Sequence, residues 1–343
     1  MEEYKKLNFT DVPDPEISSP DEILVKVRAV SICGSDVHGF DGSTGRRKPP
    51  IIMGHEASGD IVAVGAGVTK FKAGDRITFD STIYCGSCFF CREGKVNLCD
   101  NRMVLGVSCD EYRRHGAFAE YVVIPERICY LLPDGLSYEE AAMTEPAAVA
   151  AHAFRLTTIG LNETVAVVGA GLIGLLLLDV LKNSVSGTII ALDTEPSRRE
   201  TALKRGVAAV IDPALFPDAG ELNKEILKKS NRKLVDRVFD AVGIGPSIGT
   251  ALSIVRKGGS VTLIGNLSPK VEIPLQNVVS RQISLQGSCA ISGEYPIVLD
   301  LIAAKKIDVA SLISKTAPLC EGQIWFDKLY NREDGLLKVV LIP

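Results

Sequence analysis

From residue 22 to residue 30 the stretch EILVKVRAV alternates apolar and polar side chains as a half-buried strand does. Short apolar runs parted by glycine or proline continue at 57–64, 76–79 and 119–124, so the first third reads as mostly β. The pattern changes over 138–156. Ser137, with Glu139 and Glu140 behind it, is a helix-start signal, and the alanine-rich run that follows favours helix. This helix is expected to be the hinge between two domains. Beyond it, strands at 164–168, 187–193 and 209–211 alternate with helices at 172–182 and 198–205. The alternation continues through 221–229, 235–241, 248–255, 260–264 and 283–287, which predicts a doubly wound parallel sheet of about six strands. A helix-like piece at 295–304 and an apolar strand at 337–342 then return to complete the first domain. The fold class is therefore α/β, with a mostly β domain over 1–149 and 288–343 and a dinucleotide-type domain over 150–287.

Length agrees with this division, since 343 residues are about twice the usual domain size. The net charge of −4 gives no overall positive field to gather nucleic acid or anionic lipid, and neither is expected as a partner. Residues 1–20 are polar and acidic and do not read as a secretory signal, and no apolar run reaches the roughly 20 residues of a membrane span. A cytoplasmic protein is expected. Nine cysteines would be many as core filler in a reducing compartment, and their spacing points to metal before disulfides.

Cys85, Cys88, Cys91 and Cys99 stand as C-x2-C-x2-C-x7-C, Cys85 directly before the run GSCFFCREGKVNLC that holds the other three. Four thiolates at such short range can close a tetrahedron around zinc, and a shell with no open position is structural. An iron–sulfur cluster is the competing occupant, because four thiolates hold one equally well. Elsewhere, Cys33 opens the run Cys33-Gly34-Ser35-Asp36-Val37-His38 directly after a strand, and Gly54-His55-Glu56 precedes another. Cysteine, histidine and carboxylate form the mixed set of a catalytic zinc that keeps one position for water or substrate. Glu145, in the otherwise apolar MTEPAAVAAH, adds a carboxylate that is costly to bury unless paired or ligated. Taken singly, Cys33 also reads as buried filler, His55 as a hydrogen-bonded turn residue and Glu145 as an exposed helix position.

Gly169, Gly171, Leu172, Ile173 and Gly174 supply G-x-G-x-x-G between a strand and a helix, the setting in which that motif cradles a dinucleotide. The first glycine makes the turn, the second admits the pyrophosphate, and the third lets helix pack on strand. Asp193 ends the next strand, where a carboxylate accepts from ribose hydroxyls and repels a 2′-phosphate, so NAD is favoured. Arg198 and Arg199 keep NADP open, their plain reading being a solvated helix face.

With these motifs in this order, the chain resembles the zinc-containing medium-chain dehydrogenases, most closely the branch of sorbitol (L-iditol), galactitol-phosphate and related polyol dehydrogenases. GHEASGDIVAVGAGVTKFKAGDRI, the four-cysteine loop, GAFAEYVVIP and VVGAGLIG carry the resemblance, which spans essentially the whole chain. It implies a GroES-like catalytic domain, a Rossmann domain, an active site in the cleft between them and two zinc ions per chain. Cys33 and His55 should ligate the catalytic zinc. Glu56 and Glu145 join it directly or through water, with the division between them open. Alcohol dehydrogenases of the family carry cysteine where Glu145 stands, so Glu145-Pro146 points to the polyol and threonine dehydrogenase branches. Ser35 and His38 match the proton-relay positions, with the cofactor ribose between them. Metal-assisted hydride transfer between a secondary alcohol and NAD is the chemistry implied. An L-threonine 3-dehydrogenase-like oxidation and a nucleotide-binding relative that has lost its chemistry are the alternatives.

Two departures from the branch stand out. The familiar opening strand is missing, so a shorter or differently covered N-terminal edge is expected. Where sorbitol dehydrogenases carry Arg-Tyr, after the Gly-Ser matched by Gly287-Ser288, this chain reads Cys289-Ala290-Ile291, which favours another diol, sugar or cyclic alcohol. Arg46, Arg47, Arg113 and Arg114 are candidates to contact it, their plain reading being surface charge. His115 reads as solvent-facing and His152 as packed in the hinge helix. Cys109, Cys129, Cys289 and Cys320 read as reduced packing residues. The resemblance also implies a homodimer or homotetramer paired through edge strand 283–287.

Overall fold

A computed structural model describes residues 1–109, 112–216, 218–230 and 234–343. The chain forms two compact units, Met1–Ala148 with Ile291–Pro343, and Val149–Ala290.

In the first unit the predicted alternation at 22–30 becomes strand Glu22–Ser31, the centre of a seven-stranded sheet. Its residues 23, 25 and 27 enter the core, as the period of two requires, and Val30 joins them after an irregularity past Val27 shifts the phase. Glu56–Val64 and Val339–Ile342 flank it antiparallel, and Tyr121–Pro125 pairs with its first half. Arg76–Phe79 and Cys129–Leu131 extend one side and Lys315–Pro318 the other. The pairing with Glu56–Val64 slips twice, between Leu24 and Val25 and between Val27 and Ala29. Gly59, opposite Val27, lies between the two slips. A Cβ on Gly59 would come within 2.1 Å of the Lys26 carbonyl oxygen, so the strands approach there as closely as glycine allows.

The single helix expected over 138–156 is two, Tyr138–Ala142 and Thr144–Leu156. Pro146 explains the break: it has no N–H for the carbonyl of residue 142, and its ring would collide with that group. Ser137 and Glu140 make the capping box at the start of the first helix. The break leaves Glu145 in the first turn of the second helix, and His152 is buried further along it.

The second unit is built on six parallel strands in the order Ala209–Ile211, Ile189–Leu192, Val165–Val168, Val235–Asp240, Val255–Leu263 and Ser284–Gly287. This is the doubly wound order, and the strand ends fall within a few residues of expectation except that the fifth starts at Val255 rather than at 260. Ala166, Val168, Ile190, Val238 and Val261 form its apolar core with residues of the covering helices. Of the four cysteines expected to pack, Cys129 is buried and Cys109 half-buried, whereas Cys289, on a loop, and Cys320, in the short helical turn Leu319–Glu321, are exposed.

Gly59→Ala tests the closeness of the strand pair. The added methyl meets the Lys26 carbonyl and the Val25 side chain, and the variant is expected to lose about 1–3 kcal/mol in urea unfolding. An unchanged midpoint would show that the strands part at little cost.

Candidate functional site

One strand register assembles the mixed cluster. Ser31 lies opposite Glu56 in the antiparallel pair, so Cys33, two residues past one strand, meets His55, one residue before the other. Gly54, at φ +94°, makes the turn that delivers His55, and a Cβ there would strike the Phe118 backbone at 2.8 Å. Cys33 Sγ, a His55 ring nitrogen and a Glu56 oxygen lie within 4.8 Å of one another. Cys33 caps helix Gly34–Gly39, its sulfur accepting the Ser35 N–H at 3.4 Å.

Each of these groups is held from behind. Asp36, fully buried, sets one carboxylate oxygen 3.4 Å from His55 Nδ1, which leaves Nε2 as the nitrogen for a metal. Its other oxygen accepts from Arg47 Nε at 2.8 Å. Burial opposes charge on Asp36, but His55 and Arg47 outweigh it and hold the carboxyl well below its usual range. Glu56 Oε2 accepts from Ser31 Oγ and from the ammonium of Lys338, a lysine 1% exposed. Lys338 also donates to the Ile32 carbonyl at 3.0 Å. Burial would lower the Lys338 pKa, yet the charges of Glu56 and Cys33 raise it. Glu56 Oε1 is buried without a hydrogen-bond partner. A buried carboxylate oxygen with nothing to bind, beside a thiol and an imidazole nitrogen, is what a metal ligand looks like before its ion is added.

Glu145 is outside the tight group. Its Oε1 accepts from Ser81 Oγ at 3.3 Å, and burial pushes its carboxyl up to about 7. Ser35 Oγ lies 3.2 Å from Cys33 Sγ, and His38 is exposed on the next turn of the same helix. Burial of part of its ring and the nearby charge of Arg332 lower the His38 pKa.

Arg47 is buried and paired, which corrects its reading as a surface or substrate-facing charge; Gly39, lacking a Cβ, makes room for its stem. Arg46 is exposed, Arg113 donates to the Pro50 carbonyl, and Arg114 to Glu22 and the Val123 carbonyl. His115 is exposed, its Nδ1 accepting the Ile52 N–H.

The four-cysteine loop gathers Cys85, Cys88, Cys91 and Cys99 with all sulfurs within 4.8 Å. Cys85 and Cys91 are 4.0 Å apart, close to the edge of about 3.8 Å for a tetrahedron with zinc–sulfur bonds of about 2.3 Å. Sulfurs so close enclose one ion, whereas a cluster places its thiolates on separate irons. N–H groups of Ser87 and Cys88 donate to Cys85 Sγ and lower its pKa to about 5.

In the second unit Gly169 turns at φ +94° where strand Val165–Val168 ends, and Gly171 caps helix Leu172–Ser184. Leu172 and Ile173 open the helix, so their N–H groups have no partner within it. A Cβ on Gly174 would stand 1.9 Å from the Gly169 oxygen, which explains the third glycine. Asp193 accepts from the Ala170 N–H at 2.7 Å and the Glu195 N–H at 2.8 Å, pinning its carboxylate against the glycine loop. Arg199 is tied to Asp212 and to the Asp193 carbonyl. Arg198 is exposed, with Nη1 4.0 Å from where a Cβ on Gly171 would be.

Sequence reasoning named no role for Asp36, Ser31, Ser81 or Lys338. Lys338 alone carried a signal, as a single lysine in the apolar run LLKVVLIP, the same kind of signal that marked Glu145. Lys338→Met leaves Glu56 buried without its cation, and is expected to destabilise the metal-free protein by about 3–5 kcal/mol in chemical denaturation. Adding Glu56→Gln should recover most of the loss. A single variant as stable as the parent would mean that Glu56 is neutralised by another group.

The family model described as "Alcohol dehydrogenase GroES-like domain" matches residues 19–134, and the one described as "Zinc-binding dehydrogenase" matches residues 173–304. The chain is 35% identical over 342 residues to the D-arabitol-phosphate dehydrogenase of Enterococcus avium, covering 98% of this chain and 94% of that one. It is 34% identical over 348 residues to the sorbitol dehydrogenase of Bacillus subtilis, covering 100% and 96%. Among solved structures, a protein from Sinorhizobium meliloti described as a zinc-binding dehydrogenase and bound to NADP superposes with a TM-score of 0.89 at 31% identity, covering 100% and 97%. The two domain types, the mixed thiol–imidazole–carboxylate cluster and these relatives agree: the chain belongs to the zinc-containing medium-chain dehydrogenase family, in its polyol branch.

Proposed function

We propose that the protein oxidises a secondary alcohol of a polyol or sugar derivative, with NAD as hydride acceptor and two zinc ions per chain. The single observation that carries this reading is the gathering of Cys33, His55 and Glu56, a carboxylate whose Oε1 is buried and unpartnered. Cys33, His55 and Glu56 would hold the catalytic zinc, and Glu145, held off by Ser81, would act on it through water. Zinc and NAD, when bound, supply a Lewis acid that makes an alcohol acidic near neutral pH and an acceptor for its hydride. Ser35 would take the alcohol proton, and His38 would release it to solvent. Cys85, Cys88, Cys91 and Cys99 would hold the structural zinc.

In the second unit Gly169, Gly171, Leu172, Ile173 and Gly174 would cradle the pyrophosphate, with Arg198 beside it. NAD is preferred to NADP because the Asp193 carboxylate repels a 2′-phosphate and Arg199 is engaged by Asp212. The relatives' names support a polyol or its phosphate as substrate. The sequence Cys289-Ala290-Ile291 offers no cation or phenol and argues against sorbitol itself. No helix among the described residues is long and apolar enough to cross a membrane, and cysteines spaced for metal rather than for disulfides suit a reducing cytoplasm.

The test is NAD reduction by the zinc-replete protein offered polyols, their phosphates, cyclitols and L-threonine. Activity on one polyol class is expected, stronger with NAD than NADP, abolished in Cys33→Ser, with about two zinc ions per chain by metal analysis. L-threonine alone as substrate, or one zinc per chain with no activity, would overturn the reading.

A homo-oligomer paired through strand Ser284–Gly287 belongs to the same proposal. All four of its residues are exposed, and Leu275 and Val279 nearby are 64% and 70% exposed. An exposed sheet edge of this kind is a template for a second strand. Val279→Glu with Leu285→Lys should convert the oligomer to monomers in light scattering after size exclusion; an unchanged mass would place the contact elsewhere.

A further inference from the structure

Arg47 touches two parts of the active site at once. Its guanidinium is divided among three acceptors: Nε to Asp36 Oδ1 at 2.8 Å, Nη1 to the Arg46 carbonyl at 3.2 Å, and Nη2 to Ser35 Oγ at 2.9 Å. Arg47 is 3% exposed and its bond to Asp36 is buried, where a charged donor counts most, whereas the bonds to the Arg46 carbonyl and to Ser35 are half-buried. One branch runs through Asp36 to His55, and the other ends on the serine hydroxyl beside Cys33.

We propose that Arg47 is a positioning residue that fixes the direction of proton transfer at Ser35 while, through Asp36, it orients His55 for the metal. A serine hydroxyl has one proton to give and two lone pairs with which to accept, and a guanidinium can only donate. Arg47 therefore fills one lone pair of Ser35 Oγ. The other lone pair takes the proton of the alcohol, and the hydroxyl's own proton leaves to the next acceptor. One O–H bond forms as one breaks, and the oxygen starts and ends neutral. The hydroxyl's own proton points to Cys33 Sγ, 3.2 Å away, until an acceptor takes its place; without Arg47 both lone pairs are free, the hydroxyl can accept from either side, and orientations that relay nothing become populated. Arg46 next to it is exposed, so of these two arginines only Arg47 has this position.

The inference rests on the reading of Ser35 as the first group of the relay, and the experiment separates the two. Arg47→Met, Arg47→Lys, Ser35→Ala and the Arg47→Met/Ser35→Ala pair are compared in the zinc-loaded protein, with zinc affinity measured separately by chelator competition. Arg47→Met is expected to lower kcat at least about tenfold, with KM for the alcohol changed less than about twofold and a larger solvent deuterium effect. In the Ser35→Ala background the same change should cost less than about twofold, because the group it acts through is gone. Zinc affinity should fall about tenfold in Arg47→Met and stay unchanged in Ser35→Ala. Arg47→Lys, which keeps a cation beside Asp36 but cannot fork to Ser35, should hold zinc and still lose turnover. Equal losses of kcat in both backgrounds with zinc retained would overturn the proposal. So would full turnover in Arg47→Lys. If Ser35→Ala alone leaves turnover intact, the relay reading fails and takes this inference with it.

Discussion

A carboxylate buried beside a thiol and an imidazole has to be neutralised, and the catalytic unit is organised by the way Lys338 does this for Glu56. Moving either charge alone into the interior costs several kcal/mol, so neither residue is tolerable there without the other. Their contact requires Val339–Ile342 to lie against Glu22–Ser31, and Glu22–Ser31 to pair with Glu56–Val64 in the register that sets Ser31 opposite Glu56. The same register brings Cys33 to His55. The ion pair, the central sheet and the metal cluster are therefore one constraint, and a slip of one residue would turn all three out of place.

Much of this was legible in the sequence because it is local. Period-two alternation marked the central strands, the Ser137 capping signal marked the hinge helix, and short spacings announced the four-cysteine loop and the glycine turn. Each is a pattern within about twenty residues, the range over which backbone geometry alone decides which side chains can meet. Pro146 also wrote its break into the sequence, although the alanine-rich run around it suggested an unbroken helix.

The rest was hidden by distance along the chain. Ser81 reaches Glu145 across 64 residues and Lys338 reaches Glu56 across 282, separations that no periodicity encodes. Arg47 shows a different limit. Eleven residues from Asp36, it sits in a polar run, RRKPP, that reads as solvated, and only the fold reveals that Gly39 opens a slot for its stem. Exposure of an arginine is set by what packs over it, which composition does not record.

The long reach from Glu56 to Lys338 also has a consequence in time. The whole of the second unit, Val149–Ala290, is synthesised between the two halves of the ion pair. At ordinary translation rates that interval is on the order of tens of seconds, ample for an emerging contiguous domain to fold as a unit. During it the nascent catalytic unit lacks its central partner strand, and Glu56 has no buried cation beside it. Water must still reach the carboxylate until the lysine arrives. The second unit is thus complete on the ribosome before Lys338 is made to neutralise Glu56.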